Sequence, residues 1–298
     1  ALKVAKVRSW ATDPFAAGVW STFGPGEVKA LASEIASSRL PASAGVVVVG
    51  GGPVGSALAI ELARRGVTPL VIERRTEIQT ADVRARNISV RTLELARTWG
   101  VADRLRARRT LPEEWHRGWV IRSRVGGVDL CEPLHADRPA WTPAADWHAL
   151  SPEPPLDLPQ YHVNRVLRDR AIELGAAVAR GWEVVAVEED AAGVTVTAVP
   201  VGGGTPQRVR AGWVVGCDGG RSVVRGAAGI GQVETEPIGR MFNVVFRLPA
   251  DAFERLGLAP AVLMFVFNPE VSGMISPFDG DLWRLGIGPL PLDETVDE

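Results

Sequence analysis

The sequence predicts an α/β protein, α+β when its whole length is counted, in which a parallel sheet with a three-stranded meander precedes a mainly antiparallel sheet. Three observations carry that expectation. Val46 to Arg74 reads as strand, glycine-rich turn, helix and second strand without interruption. Trp182 to Glu188, Val194 to Val199 and Gln207 to Ala211 are three short strand-like runs, separated by Ala192-Gly193 and by Gly202 to Gly204. From Arg240 onward the strand-like runs Met241 to Leu248, Val262 to Phe267, Gly273 to Pro277 and Leu282 to Ile287 dominate. Such a change of pattern marks a second, antiparallel region. The expected division is an arm and linker at 1–44, a first domain at 45–115 and 158–231, and a second at 116–157 and 232–298.

Val46 to Val49 is a short unbroken β-branched run, the pattern of a strand covered on both faces in a parallel sheet. Gly50, Gly52 and Gly55 follow as G-x-G-x-x-G, enclosing Pro53 and Val54. The first glycine permits the tight turn, the second lets the backbone approach a pyrophosphate, and the third lets the helix lie close on the strand. The helix, Ser56 to Arg65, ends at Gly66, a residue suited to a C-terminal cap. Its start offers free N–H groups and the positive end of the helix dipole. Leu70 to Ile72 is the second strand, and Glu73 stands at its end, about 20 residues past the glycines, where a carboxylate accepts hydrogen bonds from a ribose diol. Arg74 and Arg75 behind that acid suit the adenosine ribose of FAD or NAD, whereas the acid would repel a 2′-phosphate. Strand, turn, helix, second strand and acid together specify a dinucleotide-binding Rossmann unit. The glycines alone would equally suit a doubly wound fold whose turn binds nothing.

With 298 residues, 46% of them apolar, the chain can bury a sizeable core. A net charge of −2 from 33 basic and 35 acidic residues gives no field to gather nucleic acid or an anionic membrane. No apolar run approaches the ~18 residues of a membrane span, and the N-terminus lacks the apolar core of a secretory signal. Cys131 and Cys217, the two cysteines, are too few for a disulfide framework or a zinc site. No metal and a reducing cytoplasm are therefore expected. Most of the ten tryptophans are expected to anchor sheets and loops.

Before the glycine turn, Gly26 to Ser37 has the apolar stripe of a short helix, and Pro41 to Gly45 reads as a linker. After Glu73, Thr76 to Asn87 is polar and arginine-rich, and Arg84, Arg86 and Arg91 stand close enough to the dinucleotide strand to reach a pyrophosphate. A solvated face explains any one of them equally well. An amphipathic helix from Ser89 to Thr98 stops at Gly100. Trp115 to Ile121 and Val128 to Leu130 look like a hairpin across Gly126-Gly127. Cys131 to Pro159 has no sustained period, as in a long covering loop. Gln160 to Leu174 returns to helix with Val163, Val166, Leu167 and Ala171 on one face. Trp213 to Gly216 is a further buried strand running into Cys217-Asp218-Gly219-Gly220-Arg221-Ser222.

At that second motif, ending in Arg225, the chain resembles the single-component flavoprotein monooxygenases of the p-hydroxybenzoate hydroxylase type, in particular phenol and polyketide hydroxylases. The resemblance runs from about Gly45 to Glu298. It rests on four blocks in order: the glycine fingerprint with Glu73; Arg84-Ala85 followed by Arg91-Thr92-Leu93-Glu94-Leu95 and Trp99-Gly100; Leu158-Pro159-Gln160; and Asp218-Gly219 through Arg225. It implies an FAD-binding first domain and a substrate-binding second domain. Gly50, Gly52, Pro53, Val54, Gly55, Glu73 and Arg74 would hold the ADP half of FAD. Arg84 would contact the pyrophosphate, Gln160 the ribityl or pyrophosphate region, and Asp218 with Gly219 the pyrophosphate region that also serves NAD(P)H. Asp218 has a plainer reading as an Asp-Gly turn after a strand, and Arg225 reads as scaffold. The family's third motif, Gly-Asp followed by a small residue and His, does not occur before Glu298. The second domain is therefore expected to be incomplete and the fold truncated at its C-terminus.

In that family reduced flavin reacts with dioxygen at C4a, and the resulting hydroperoxide delivers oxygen to an electron-rich ring, the cofactor carrying the hard step. The implied activity is an FAD-dependent aromatic hydroxylase using NAD(P)H and O₂ on a small phenolic or polyketide-like substrate. By location Asn243, Phe265, Phe267, Met274, Phe278 and Trp283 are candidates to line the substrate, core packing being the alternative for each. Tyr161 and His162 could polarise a phenol or pack quietly at a helix start, and no catalytic base is assigned. Two other readings stay open. One is a fragment or non-catalytic nucleotide-binding module, half of a two-chain or fused protein. The other is an amine-oxidase relative, suggested by the W-x-x-D-P-x-x-x-G pattern from Trp10 to Gly18 within Arg8 to Glu27. A second chain and a homo-oligomer are both compatible with the sequence.

Overall fold

A computed structural model describes residues 4–9, 39–78, 85–111, 119–122, 151–233, 239–249, 251–255, 263–269 and 272–291, with backbone course alone at 4–9, 119–122 and 253–254. In chain order the strands are β1 (Val4–Ser9), β2 (Ser43–Val49), β3 (Pro69–Glu73), β4 (Asn87–Ile88), β5 (Trp119–Arg122), β6 (Leu156–Asp157), β7 (Ala177–Arg180), β8 (Trp182–Asp190), β9 (Gly193–Pro200), β10 (Gln207–Gly216), β11 (Arg240–Arg247), β12 (Leu263–Phe267), β13 (Ser272–Asp279) and β14 (Leu282–Leu290). The helices are α1 (Pro53–Ala63), α2 (Val90–Thr98), α3 (Ala102–Arg106), α4 (Gln160–Glu173), α5 (Val223–Ala227) and α6 (Ala252–Arg255). They fall into two compact units. One comprises residues 25–80 and 161–234, the other 1–24, 81–160 and 235–298.

In the first unit the sheet runs in the order β7-β3-β2-β10-β9-β8. β7, β3, β2 and the second half of β10 are parallel, while β8, β9 and the first half of β10 form the antiparallel meander. The β-branched run predicts the centre of this sheet correctly: Val47 and Val48 are wholly buried. With Val47 and Val49, the residues Leu70, Ile72, Val196, Val209, Ala211 and Trp182 form one apolar core on one face of the sheet. α1 buries Gly55, Ser56, Ala59 and Ile60, so its small residues let the helix axis come close to the strands. Pro53 opens it at a position whose N–H has no intrahelical partner in any case. α4 buries Val163, Val166, Leu167 and Ala171, as their spacing requires.

Two details differ from the sequence reading. Gln207 to Ala211 and Trp213 to Gly216 are one continuous strand, β10, which pairs with β9 through Ala211 and with β2 through Gly216. Gly212, which reads as a break, lies inside it; a Cβ there would stand 3.2 Å from the Gly45 carbonyl oxygen, so the glycine marks a close backbone approach. Trp213 is 74% exposed, not buried. Alternation along the strand puts it on the side opposite Val214, which packs on the core.

In the second unit a six-stranded sheet runs in the order β1-β11-β14-β13-β12-β5. All pairs are antiparallel except β12 with β5. Residues 4–9 therefore form an edge strand here, where the sequence suggested only an arm, and residues 43–44 already belong to β2. The expected hairpin partner of Trp119–Arg122, the helix at 26–37 and most of the Arg8 to Glu27 segment lie outside the described residues. Phe246, Met264, Ile275 and Trp283 form an apolar cluster on one face of the sheet. α2 and α3 belong to the same unit; Ser89 caps α2 by accepting from the Thr92 N–H at 3.3 Å. Buried Glu153 pairs with Arg97 at 3.4 Å and with Arg106.

Ile72 is 1% exposed within the parallel-sheet core. Truncating such a side chain removes buried methylenes and leaves a cavity. Ile72→Ala is expected to lower unfolding free energy by about 2–4 kcal/mol in urea titration, with little change in the slope.

Candidate functional site

The glycine turn is held by contacts that reach across three strands of the parallel sheet. The Gly50 N–H donates to the Ile72 carbonyl at 2.8 Å, and the Cys217 N–H donates to the Val49 carbonyl at 2.7 Å. Gly50 has φ of 101°, in the region where a side chain is strained, and a Cβ there would meet the Cys217 carbonyl oxygen at 2.4 Å. At Gly55 a Cβ would lie 1.9 Å from the Gly50 oxygen. These two glycines are required by the protein's own backbone. Gly52 differs: among the described residues nothing stands within 4 Å of its missing Cβ, and its φ of −69° and ψ of −171° suit any residue. The space above it is open.

Glu73, at the end of β3, faces the turn. One oxygen accepts from the Gly51 N–H at 2.6 Å and the other from the Arg75 N–H at 2.8 Å. A carboxylate has about four acceptor positions, so both oxygens keep lone pairs for further donors. Gly51, not singled out from the sequence, is needed because a Cβ there would press on Glu73 Cβ at 2.9 Å; the unbroken Gly50-Gly51-Gly52 run was its signal. α1 begins beside this acid. Its first N–H groups have no intrahelical partners, and it carries no acidic residue in its first turn and no side-chain cap. α1 itself therefore places no carboxylate at its N-terminal end.

Asp218 and Gly219 close the other side. A Cβ on Gly50 would be 3.0 Å from Asp218 Cα, so the Asp218 backbone walls the turn. Its carboxylate is engaged elsewhere: it accepts from the Ser222 hydroxyl at 2.6 Å and the Val223 N–H at 2.7 Å. Ser222 in turn accepts from the Arg225 N–H at 2.9 Å. Arg225 donates to the Gly220 carbonyl at 2.8 Å and to Gln232 at 2.7 Å, the scaffold role expected of it. Gly219, with φ of 84°, has open space around it. Cys217 is half-buried, and burial followed by the Asp218 charge pushes its thiol above the usual range, the state of a structural rather than a reactive cysteine.

The structure brings Gly50, Gly52, Pro53, Val54, Gly55, Glu73, Asp218 and Gly219 to one end of the parallel strands. Arg74 is exposed and lies 3.8 Å from Glu183. Gln160 opens α4, its N–H donating to the Ala85 carbonyl at 3.0 Å. Arg84 lies outside the described residues. The Tyr161 and His162 rings lie against each other at a 34° tilt, with centroids 4.2 Å apart. The fit to an adenine dinucleotide is direct: a first helical turn without acidic residues, an open backbone position at Gly52, and a strand-end carboxylate with unused lone pairs.

The second unit holds a buried ion pair that the sequence did not reveal, and it engages Arg86, one of the arginines read as able to reach a pyrophosphate. Arg86 donates through Nε to Asp157 at 2.7 Å, with the two side chains only 9% and 10% exposed. Burial, then Arg86, pushes Arg284 down to about 10, with Asp157 opposing. Burial likewise pushes Asp279 up, opposed by a hydrogen bond from Thr110 and by Arg86. Of the substrate candidates, Asn243, Met274 and Phe265 fall in one cross-strand row through Gly286. Phe267 stacks beside Phe265, with centroids 6.0 Å apart. Trp283 belongs to the apolar cluster of the opposite face, and Phe278 is wholly buried. Among the described residues no group of three or more His, Cys, Asp or Glu is arranged to hold a metal, and no helix is long and apolar enough to cross a membrane.

Residues 43–297 match the family model described as FAD binding domain. The chain is 29% identical over 252 residues to tetracenomycin B2 monooxygenase-dioxygenase of Streptomyces olivaceus, covering 81% of this chain and 46% of that protein. Among solved structures it is similar to the flavin-dependent monooxygenase PieE in complex with FAD and substrate, with TM-score 0.75, 27% identity, and coverage of 86% of this chain and 44% of that one. It is also similar to aklavinone-11 hydroxylase in a ternary complex with FAD and aklavinone, with TM-score 0.69, 28% identity, and coverage of 84% and 46%. The chain thus spans less than half the length of these relatives.

The two kinds of glycine separate folding from binding. Gly55→Ala is expected to disrupt the turn and lower the thermal midpoint together with FAD affinity. Gly52→Ala, in open space, is expected to change stability by no more than about 1 kcal/mol while weakening FAD binding about tenfold or more, because the methyl fills the space the backbone leaves. Thermal melts beside FAD fluorescence titrations check both.

Proposed function

The chain belongs to the family of FAD-binding domains, and on that premise we propose that it is the FAD-binding and substrate-facing part of an NAD(P)H-dependent aromatic monooxygenase acting on a phenolic or polyketide-like compound. The observation that carries this reading is the open position over Gly52 beside Glu73 and the α1 start. In this reading Glu73 accepts the ribose hydroxyls through its unused lone pairs. The Val54 and Gly55 N–H groups at the helix start face the pyrophosphate, with Gly52 giving it room. Arg84 and Arg74 offset its charge, and Gln160 contacts the ribityl or pyrophosphate region. When bound, FAD supplies the redox chemistry by which NAD(P)H and dioxygen yield a hydroxylated ring and water.

Asp218 acts here as a positioning residue. Its carboxylate ties the start of α5, so that the Asp218-Gly219 backbone is presented to the pyrophosphate region. The antiparallel unit carries the contacts to an aromatic ring and excludes water from it. No side chain is given the role of base. The names of the relatives, a tetracenomycin B2 monooxygenase-dioxygenase and an aklavinone-11 hydroxylase, support a phenolic or polyketide-like substrate, and the use of NAD(P)H suits a reducing cytoplasm.

Titration of the chain with FAD, followed by flavin fluorescence and the visible spectrum, tests the reading. The expected result is saturable binding, weakened roughly tenfold to a hundredfold in Glu73→Ala, the loss of one to two charge-assisted hydrogen bonds. NAD(P)H oxidation stimulated by a phenolic substrate is expected in the FAD-loaded protein. An unperturbed flavin spectrum at saturating concentration, or equal affinity in Glu73→Ala, would overturn it.

A further inference from the structure

On the face of the antiparallel sheet opposite the apolar cluster lies a set of polar groups whose hydrogen-bonding capacity is unused. Asn243, in β11, is 0% exposed, yet among the described residues neither its amide nitrogen nor its oxygen has a hydrogen-bond partner. Ser276, in β13, is 2% exposed, and among the described residues its hydroxyl is likewise unpartnered. Both Nη atoms of Arg86 are buried without a partner, its only hydrogen bond among the described residues running from Nε to Asp157. A buried amide left unpaired costs about 1–3 kcal/mol, so three such groups in one unit call for an explanation.

They are neighbours through the strand register. Asn243 faces Gly286 across β11 and β14, and Gly286 faces Met274 across β14 and β13. A Cβ on Gly286 would touch Met274 Cε at 3.1 Å and Asn243 Oδ1 at 3.3 Å, so both side chains lean over the glycine. Met274 faces Phe265 in turn. One row of residues over, Ser276 faces Arg284, whose Nη2 lies 3.5 Å from Met274 Sδ. The electrostatic coupling of Arg284 to both Arg86 and Asp157 brings that ion pair into the same neighbourhood. Arg86, Asp157 and Arg284 are thus electrostatically coupled neighbours, and they set guanidinium donors beside the row.

We infer that this row reads the oxygenated edge of the aromatic substrate: adjacent hydroxyl and carbonyl oxygens on a ring that lies against Phe265 and Met274. The inference rests on the hydroxylase reading for the aromatic character of that substrate. An Asn amide presents one donor face and one acceptor, the complement of a carbonyl beside a hydroxyl. The ring carbonyl accepts from Asn243 Nδ2, and the hydroxyl donates to Asn243 Oδ1. Ser276 and the Arg86 Nη groups supply donors to the same oxygens and favour a polarised hydroxyl. A site built to hydrogen-bond a hydroxyl rejects analogues without it more strongly than an apolar pocket rejects size changes.

The test compares 1,8-dihydroxyanthraquinone with its 1,8-dimethoxy counterpart as probes, titrated into the FAD-loaded chain and into Asn243→Leu, with FAD affinity and thermal midpoint measured on both proteins. Asn243→Leu is expected to weaken the dihydroxy probe at least about tenfold, leave the dimethoxy probe and FAD unaffected, and hold or raise the thermal midpoint. A merely structural asparagine would not give that combination. Ser276→Ala provides a second variant, with an expected loss of about threefold to tenfold for the dihydroxy probe alone. Equal affinity of wild type and both variants for the dihydroxy probe, with FAD bound normally, overturns the inference and leaves the coenzyme reading standing. Failure of every protein to bind FAD, with the probes still discriminated, strikes the coenzyme reading and leaves the inference intact.

Discussion

The carboxylate of Glu73 holds together the end of the molecule on which the functional reading depends. By accepting from the Gly51 N–H at 2.6 Å and the Arg75 N–H at 2.8 Å, it ties the turn after β2 to the end of β3. The Gly50 N–H reaches the Ile72 carbonyl one residue earlier, so backbone and side chain hold the same two strand ends. The backbone at Gly50 approaches Cys217 and Gly55 so closely that neither glycine tolerates a side chain. What is left open is the position over Gly52. A rigid turn with one vacancy, next to a helix start and a carboxylate with spare lone pairs, is a preorganised place for a diphosphate ester of adenosine.

Much of this was legible because every step carries a local signal. A β-branched run, three spaced glycines, a helix with a glycine stop and an acid at a strand end each act over a few residues, and their order is that of the fold. The same holds for α2, where Ser89 supplies the cap, and for α4, whose apolar spacing matches its buried face. The continuity of β10 was not legible. Its two halves pair with different strands in opposite senses, and Gly212 looks like an interruption when only neighbours in sequence are considered. The destination of the Asp218 carboxylate was equally hidden, since an Asp-Gly turn can point its side chain at a ligand or at the next helix. Arg86 was visible only as one of several arginines, because its partner Asp157 stands 71 residues away in the sequence.

Near the glycine turn the polar side chains are engaged by the protein itself: the Ser56 hydroxyl donates to the Gly51 carbonyl at 3.2 Å, and Asp218 accepts from the start of α5. In the antiparallel unit Asn243, Ser276 and the Arg86 guanidinium end retain unmet capacity while buried. Local disagreement between burial and satisfaction tends to occur where a protein must recognise something else. The apolar cluster of Phe246, Met264, Ile275 and Trp283 on the other face supplies the stability that lets the sheet carry this cost.

The central claim is that the turn between β2 and α1 cradles a diphosphate whose sugar is held by Glu73. Amide resonances of the labelled chain, followed by NMR as ADP is added, test it most directly. The account predicts saturable shifts of Gly51, Gly52, Val54 and Gly55, with the amides of β11 and β13 unmoved. Shifts confined to other elements, or none at millimolar ADP, would contradict it.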